Sequence, residues 1–194
     1  MSRAQLEQDL WVLKHTEDMT SGYFIDIGAF HPSELSNTCL LDERGWRGVC
    51  VEPRPHGDWT TRQNTTLLEH VITSDGRDVT FIDGDELGGI EEHVSHHASK
   101  VAHKPRISLP SITPTDMLKR AGAPATIDYL SLDTEGSELE ILENFPFDSY
   151  TVKLITVEHN YEEPKRTQIK TFLEGKGYIR EMPCRWDDFY VLRT

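Results

Sequence analysis

Asp26, Glu52, Asp133 and Glu158 each fall at or near the end of a short apolar run. The first run, "GYFIDIGAFHP" at 22–32, reaches Asp26 and turns at Gly28; the second, "GVCVEP" at 48–53, ends in Glu52, about 24 residues beyond that glycine. An acid at that distance, at the tip of the second strand of an open parallel sheet, is placed to take the two hydroxyls of a ribose. A glycine at the end of the first strand lets the backbone turn tightly and a ligand approach with no Cβ in the way. Asp26 can accept hydrogen bonds from a ligand amine or a backbone amide. "GAFHPS" lacks the second and third glycines of a dinucleotide fingerprint, so nothing in it cradles a pyrophosphate. A ribose acid without a pyrophosphate loop points to a nucleoside lacking phosphates, of which S-adenosylmethionine is the common example. The plain alternative is that Asp26 is a helix cap and Glu52 a surface acid, and spacing alone leaves both open.

The elements that must position these acids follow from periodicity. Leu6, Leu10 and Leu13 recur at helical spacing within 4–14, and 36–44 reads as a helix stopped by Gly45. Strands are predicted at 23–27, 48–53, 67–73, 78–83, 127–133 and 153–159. Thr113, Pro114 and Asp116 open a helix that Gly122 closes, and further helices are expected at 137–144 and from Pro164 to about Glu174. The last segment carries two strand-like runs around a loop, as an antiparallel hairpin would. Residues 84–110 are polar and without clear period. Strands alternating with helices imply a mostly parallel sheet covered on both faces.

The chain has 194 residues, enough for one α/β domain that buries about 70% of its unfolded surface. Lys and Arg number 20 against 33 Asp and Glu, a net charge of −13, which disfavours nucleic acid as a partner. No apolar stretch approaches the roughly 18 residues of a membrane span, and the first residues lack the order of a signal peptide. Cys39, Cys50 and Cys184 have no zinc spacing and read as reduced thiols of a cytoplasmic protein.

"IDYLSLDTEGSELEIL" at 127–142, with "GYFIDIGAFHP", "SNTCLLDERGWRGVCVEP", "ITPTDML", "ITVEHN" and "DDFYVLR", resembles the FkbM family of S-adenosylmethionine-dependent methyltransferases. "QLEQDLWVL" is similar to the family's leading helix, with Ala4 where serine is usual. The resemblance covers nearly the whole chain. It implies one domain over 1–194 with a class I methyltransferase (Rossmann-like) fold: a seven-stranded, mostly parallel sheet, a C-terminal antiparallel hairpin and helices on both faces. It also implies O-methylation of a hydroxyl on a sugar, glycan or natural product. The implied cofactor site comprises Asp26, Gly28, Ala29, Glu52 and Asp133. Ser36 and Asn37 open a helix suited to the methionyl carboxylate, and Ser74 and Asp75 lie where adenine is contacted. Asp75 also fits a plain Ser-Asp-Gly turn.

Methyl transfer needs an acceptor held close to the methyl carbon and a group to take its proton. The expected catalytic residues are Asp133, Glu158 and His159, with Glu135, Glu138 and Asn160 nearby; Glu138 also fits as a charge on a helix N-terminus. Some methyltransferases of this fold hold magnesium with acids at these two strand ends, so Asp133, Glu158 and His159 form a candidate site for Mg²⁺ or Mn²⁺. The metal-free alternative gives Asp133 to the cofactor's amino group and makes His159 the base. His93, His96, His97 and His103 fall in a segment, 85–108, read as a lid over the cleft, with zinc as the other reading. The small chain leaves that lid, and a second subunit if the protein is a homodimer, to shape the acceptor pocket. A non-catalytic S-adenosylmethionine-binding module and a nicotinamide-dependent oxidoreductase are the competing functions.

Overall fold

The computed structural model describes residues 1–17, 19–94 and 98–193. In chain order its elements are α1 (Gln8–His15), β1 (Tyr23–Ile27), α2 (Cys39–Glu43), β2 (Arg47–Val51), β3 (Thr65–Leu68), β4 (Val71–Ile72), β5 (Val79–Ile82), β6 (Gly89–Ile90) and α3 (Ala98–Val101). There follow β7 (Arg106–Leu109), β8 (Ser111–Ile112), α4 (Pro114–Ala121), β9 (Thr126–Leu132), α5 (Glu138–Asn144), β10 (Thr151–Glu158), α6 (Lys165–Gly175), β11 (Tyr178–Cys184) and β12 (Asp187–Leu192). Seven strands form one sheet in the order β11-β12-β10-β9-β1-β2-β3. β10, β9, β1, β2 and β3 are parallel; β12 enters antiparallel to β10, and β11 pairs antiparallel with β12. The expected terminal hairpin is therefore present. Strand order reverses at β1, so the crevice beyond the carboxyl ends of β1 and β9 is the place for a ligand.

Side chains alternate along each strand, so each central strand feeds two cores. On one face Ile25, Ile27, Val49, Val51, Ile155 and Val157 pack with Met117 and Leu118 of α4, Ile141 and Leu142 of α5, and Ile169 and Leu173 of α6. On the other, Phe24, Cys50, Tyr129, Leu154 and Phe189 meet Trp11, Val12 and Leu13 of α1 and Leu40 and Leu41 of α2. Helices thus cover both faces. α4 starts as its sequence requires: the Thr113 hydroxyl accepts the Asp116 N–H at 3.1 Å, Pro114 occupies the first turn, and Gly122 stops it at φ +57°.

Three segments differ from the sequence reading. The strand expected over 67–73 is two strands, because His70 N–H turns back onto the Leu68 carbonyl at 3.0 Å. β3 stays in the main sheet while β4 pairs with β8 in a separate ladder. The helix expected over 36–44 is only the short α2. Among its described residues the polar stretch at 84–110 is built rather than irregular: β6 and β7 flank β5 in a three-stranded antiparallel sheet, and Ile90, Val94 and Val101 are buried. Among the described residues no helix is long and apolar enough to cross a membrane.

Candidate active site

Gly28 follows β1 at φ +85°, and a Cβ there would lie 1.7 Å from the Asp133 carbonyl oxygen. The space it makes is for the neighbouring strand's backbone, not first for a ligand. Asp133 N–H donates to the Ile27 carbonyl at 3.0 Å, while Gly28 N–H donates to Val51 O at 2.9 Å. The ends of β1, β2 and β9 are thereby fastened into one floor. Glu52, at the tip of β2, accepts the Phe30 N–H at 2.9 Å through Oε2 and the Arg54 N–H at 2.8 Å through Oε1. Burial pushes its carboxyl up, and these two amides oppose the shift.

A cavity of about 240 Å³ opens above this floor, lined by Asp26, Gly28, Ala29, Asn37, Glu52, Asp133 and Glu158 among the expected residues. Asn37 Nδ2 donates to Ser131 Oγ at 2.9 Å. Glu52 and Glu158 end strands three places apart in the sheet, roughly 14 Å at ordinary strand spacing. The cavity also takes in residues that sequence reasoning did not assign to it, namely Gln5, Phe30, His70, Val71, Phe81 and Trp186.

At its far end Asp133, Glu135 and Glu158 bring carboxylate oxygens within 4.8 Å of one another. Glu135 and Asn160 reach them from left-handed backbone, φ +57° and +46°. Asn160 Nδ2 donates to Glu158 Oε2 at 2.7 Å and lies 3.3 Å from Glu135 Oε2. Burial raises all three carboxyls: Asp133 to about 7, with a Glu158 hydrogen bond opposing the shift and the Glu138, Asp26 and Glu52 charges adding to it, Glu135 to about 8 with the Asp133 charge adding, and Glu158 furthest of all under the Asp133 and Glu135 charges. Glu138 is not part of this group. Its Oε1 accepts the Thr134 and Gly136 amides at 3.0 and 2.9 Å, and Lys165 Nζ lies 3.5 Å from Oε2, so it folds the loop that opens α5.

Several expected residues lie elsewhere. His159 turns away from the cavity: Nδ1 accepts the Tyr161 N–H at 2.9 Å and Nε2 lies 3.5 Å from Asp188 Oδ1. It is neither beside the acid cluster nor free to take an acceptor's proton. The Ser36 hydroxyl accepts the Cys39 N–H at 3.1 Å and an Arg62 hydrogen bond at 3.3 Å, so it organises the start of α2 and offers the cavity nothing. Ser74 N–H is spent on Glu140 at 2.9 Å, and the Asp75 carboxylate accepts the Arg77 N–H at 3.2 Å, a turn contact. Because β3 ends at Leu68, the loop beyond the third strand is Glu69 and His70, and His70, with Val71 at the start of β4, lines the cavity in their place. His93 Nε2 is 3.1 Å from Glu140 and His103 is exposed; neither joins the ligand cluster found among the described residues. His96 and His97 lie outside the described residues.

Comparison with curated proteins and with solved structures gives no match. The model of the methyltransferase FkbM domain matches residues 26–180, a span that begins at Asp26, passes through Glu52, Asp133 and Glu158, and ends in β11. By that match, over most of its length and across the whole floor of the cavity, the chain belongs to the FkbM methyltransferase domain family.

Proposed function

We propose that the protein transfers a methyl group from S-adenosylmethionine to a hydroxyl of a polyhydroxylated acceptor, such as a sugar, glycan or natural product. The observation that carries this reading is the pairing of Glu52 with the Asp133–Glu135–Glu158 cluster across one cavity. The residues present fit the cofactor. Each Glu52 oxygen keeps a lone pair beyond its amide partner for a ribose hydroxyl. Phe30, Val71, Ile72 and Phe81 offer apolar surface for a base. Among the described residues neither lysine nor arginine lines the cavity, which suits a ligand without phosphates and disfavours a nicotinamide dinucleotide. Bound S-adenosylmethionine supplies an electrophilic methyl group on a positive sulfur, and an acidic cavity attracts such a cation. A carboxyl raised toward neutrality is suited to take the acceptor's proton, so the cluster replaces His159 as the base. Trp186, whose carbonyl accepts the His159 N–H at 2.8 Å, lines the same end with Gln5 and supports a ring-shaped acceptor. The described part of 85–108 acts as the lid in this reading: Asp85, Leu87 and Ile90 line the cavity, and Lys104 Nζ holds Asp85 at 2.7 Å. The free thiols of Cys39, Cys50 and Cys184 support a cytoplasmic setting.

Glu52→Ala leaves the ribose hydroxyls without their acceptor and is expected to weaken S-adenosylmethionine by about 2 kcal/mol, roughly thirtyfold, with some loss of melting temperature as the Phe30 and Arg54 amides lose theirs. Titration calorimetry measures it, and unchanged affinity removes the ribose role. The function itself is tested by label transfer from methyl-labelled S-adenosylmethionine to a panel of methyl glycosides and polyols. Cofactor binding with no transfer to any of them, and none to a wider set of hydroxylated natural products, favours the non-catalytic module.

A second reading gives the cluster a divalent cation. Its oxygen donors suit Mg²⁺ or Mn²⁺, and the ligands are Asp133, Glu135 and Glu158 rather than a set that includes His159. If this reading holds, EDTA abolishes transfer, Mg²⁺ or Mn²⁺ restores it, and the same ions raise the melting temperature of the free protein. Full activity in excess EDTA removes the metal and leaves the carboxylates as the base.

A further inference from the structure

Arg62 is a buried cation, 6% exposed, beneath the loop that joins β1 to α2. Its guanidinium stacks 5.6 Å from the Phe24 ring and 6.0 Å from Trp59, and pairs with Asp42 of α2 at 3.3 Å. It also reaches the loop itself, donating to the Pro32 carbonyl at 3.0 Å, to Ser36 Oγ at 3.3 Å and to Thr38 Oγ1 at 3.1 Å. Thr38 Oγ1 in turn lies 2.8 Å from Asp26 Oδ2.

The inventory of donors fixes the direction of this chain. Arginine has no acceptor, so Thr38 Oγ1 must accept from Arg62. A hydroxyl has one proton, and here it is directed at the Asp26 carboxylate, which lines the cavity. Burial pushes Asp26 up, and Thr38, the Arg62 charge and the Ser131 hydroxyl pull it back. The Thr38 hydroxyl makes no cap for α2, so capping does not account for it.

We propose that Arg62 and Thr38 form a buried relay that fixes the Asp26 carboxylate at the cavity wall, making both of them positioning residues for cofactor binding. The inference rests on the reading of this cavity as the S-adenosylmethionine site. Neither residue lines the cavity; both act through Asp26.

S-adenosylhomocysteine, titrated calorimetrically into the full chain, is the probe. Thr38→Val keeps the shape and removes the hydroxyl, and is expected to weaken binding about tenfold; Thr38→Ser restores it to within about twofold of wild type. Thr38→Val added to Asp26→Asn is expected to cost little more than Asp26→Asn alone, because both changes cut one chain. Arg62→Lys, which keeps the charge but loses the fork, gives an independent arm with an expected loss of several-fold. Thermal melting of each free variant reports its fold. Wild-type affinity in Thr38→Val, or additive losses in the double variant, overturns the relay while leaving the cofactor reading intact. A wild-type chain that does not bind the probe overturns both.

Discussion

Gly28→Ala is expected to destabilise the fold by on the order of 3 kcal/mol and to leave cofactor binding undetectable. Two costs combine. The residue sits at φ +85°, where an L side chain is strained by about 1–2 kcal/mol, and the new Cβ would fall 1.7 Å from the Asp133 carbonyl oxygen. That carbonyl is backbone, fastened to β1 through Asp133 N–H and Ile27 O at 3.0 Å, and has no rotamer to escape into. Relief must come from moving the β1 and β9 loops apart, which displaces Ala29 and Asp133 together. Gly122 is the control: its φ is +57° and nothing lies within 4 Å of an added Cβ, so Gly122→Ala bears the strain alone. Denaturant unfolding of the two variants is expected to separate them by about 2 kcal/mol or more. Equal losses would mean that the contact at Asp133 relaxes freely.

Asp133→Asn is expected to lower methyl transfer by about 10²–10⁴-fold and, in the same variant, to stabilise the protein. The cluster holds like charges close together because chemistry needs them there, not because folding does. Its folded-state carboxyls are raised above their unfolded values, so the folded chain binds more protons than the unfolded one. The stability they contribute is therefore present at low pH and is lost as pH rises through about 7 for Asp133 and about 8 for Glu135. With divalent ions chelated, denaturant unfolding at pH 5 and pH 8 is expected to find the wild-type cluster contributing less at the higher pH. Asp133→Asn flattens that difference. A variant that is inactive and also less stable at pH 8 would make Asp133 a structural acid instead.

How much of this was legible in the sequence depended on the kind of signal. β1, β2, β9 and β10 are short apolar runs bounded by glycine, proline or acid, and their length and boundaries alone find them. α4 is announced by its cap, its proline and its closing glycine. The ends of those strands delivered Asp26, Glu52, Asp133 and Glu158 to one cavity. Failures came where a local turn or the direction of a side chain decided the outcome. The turn from Leu68 to His70 ends β3 at the Glu69–His70 pair, inside a run read as one strand, and with it the expected role of Ser74 and Asp75. Glu158 and His159 are consecutive, and consecutive side chains leave an extended backbone on opposite sides, so both could not enter the cavity. Asn160 enters from the left-handed turn beyond β10, at φ +46°, which no strand period announces. The short strands flanking β5 have no periodicity to read, since β6 is two residues long. Gln5 and Trp186 reach the cavity from the two ends of the chain, a closeness that only the packing of α1 against the β12 side of the sheet creates.

The central claim is that the cavity above β1, β2 and β9 binds S-adenosylmethionine. Parallel calorimetric titrations of the wild-type chain with S-adenosylhomocysteine and with NAD test it most directly. The account requires saturable one-to-one binding of S-adenosylhomocysteine, weakened roughly thirtyfold by Glu52→Ala, and no measurable binding of NAD. NAD binding the more tightly, or S-adenosylhomocysteine binding with the same affinity whether or not Glu52 is present, would contradict it.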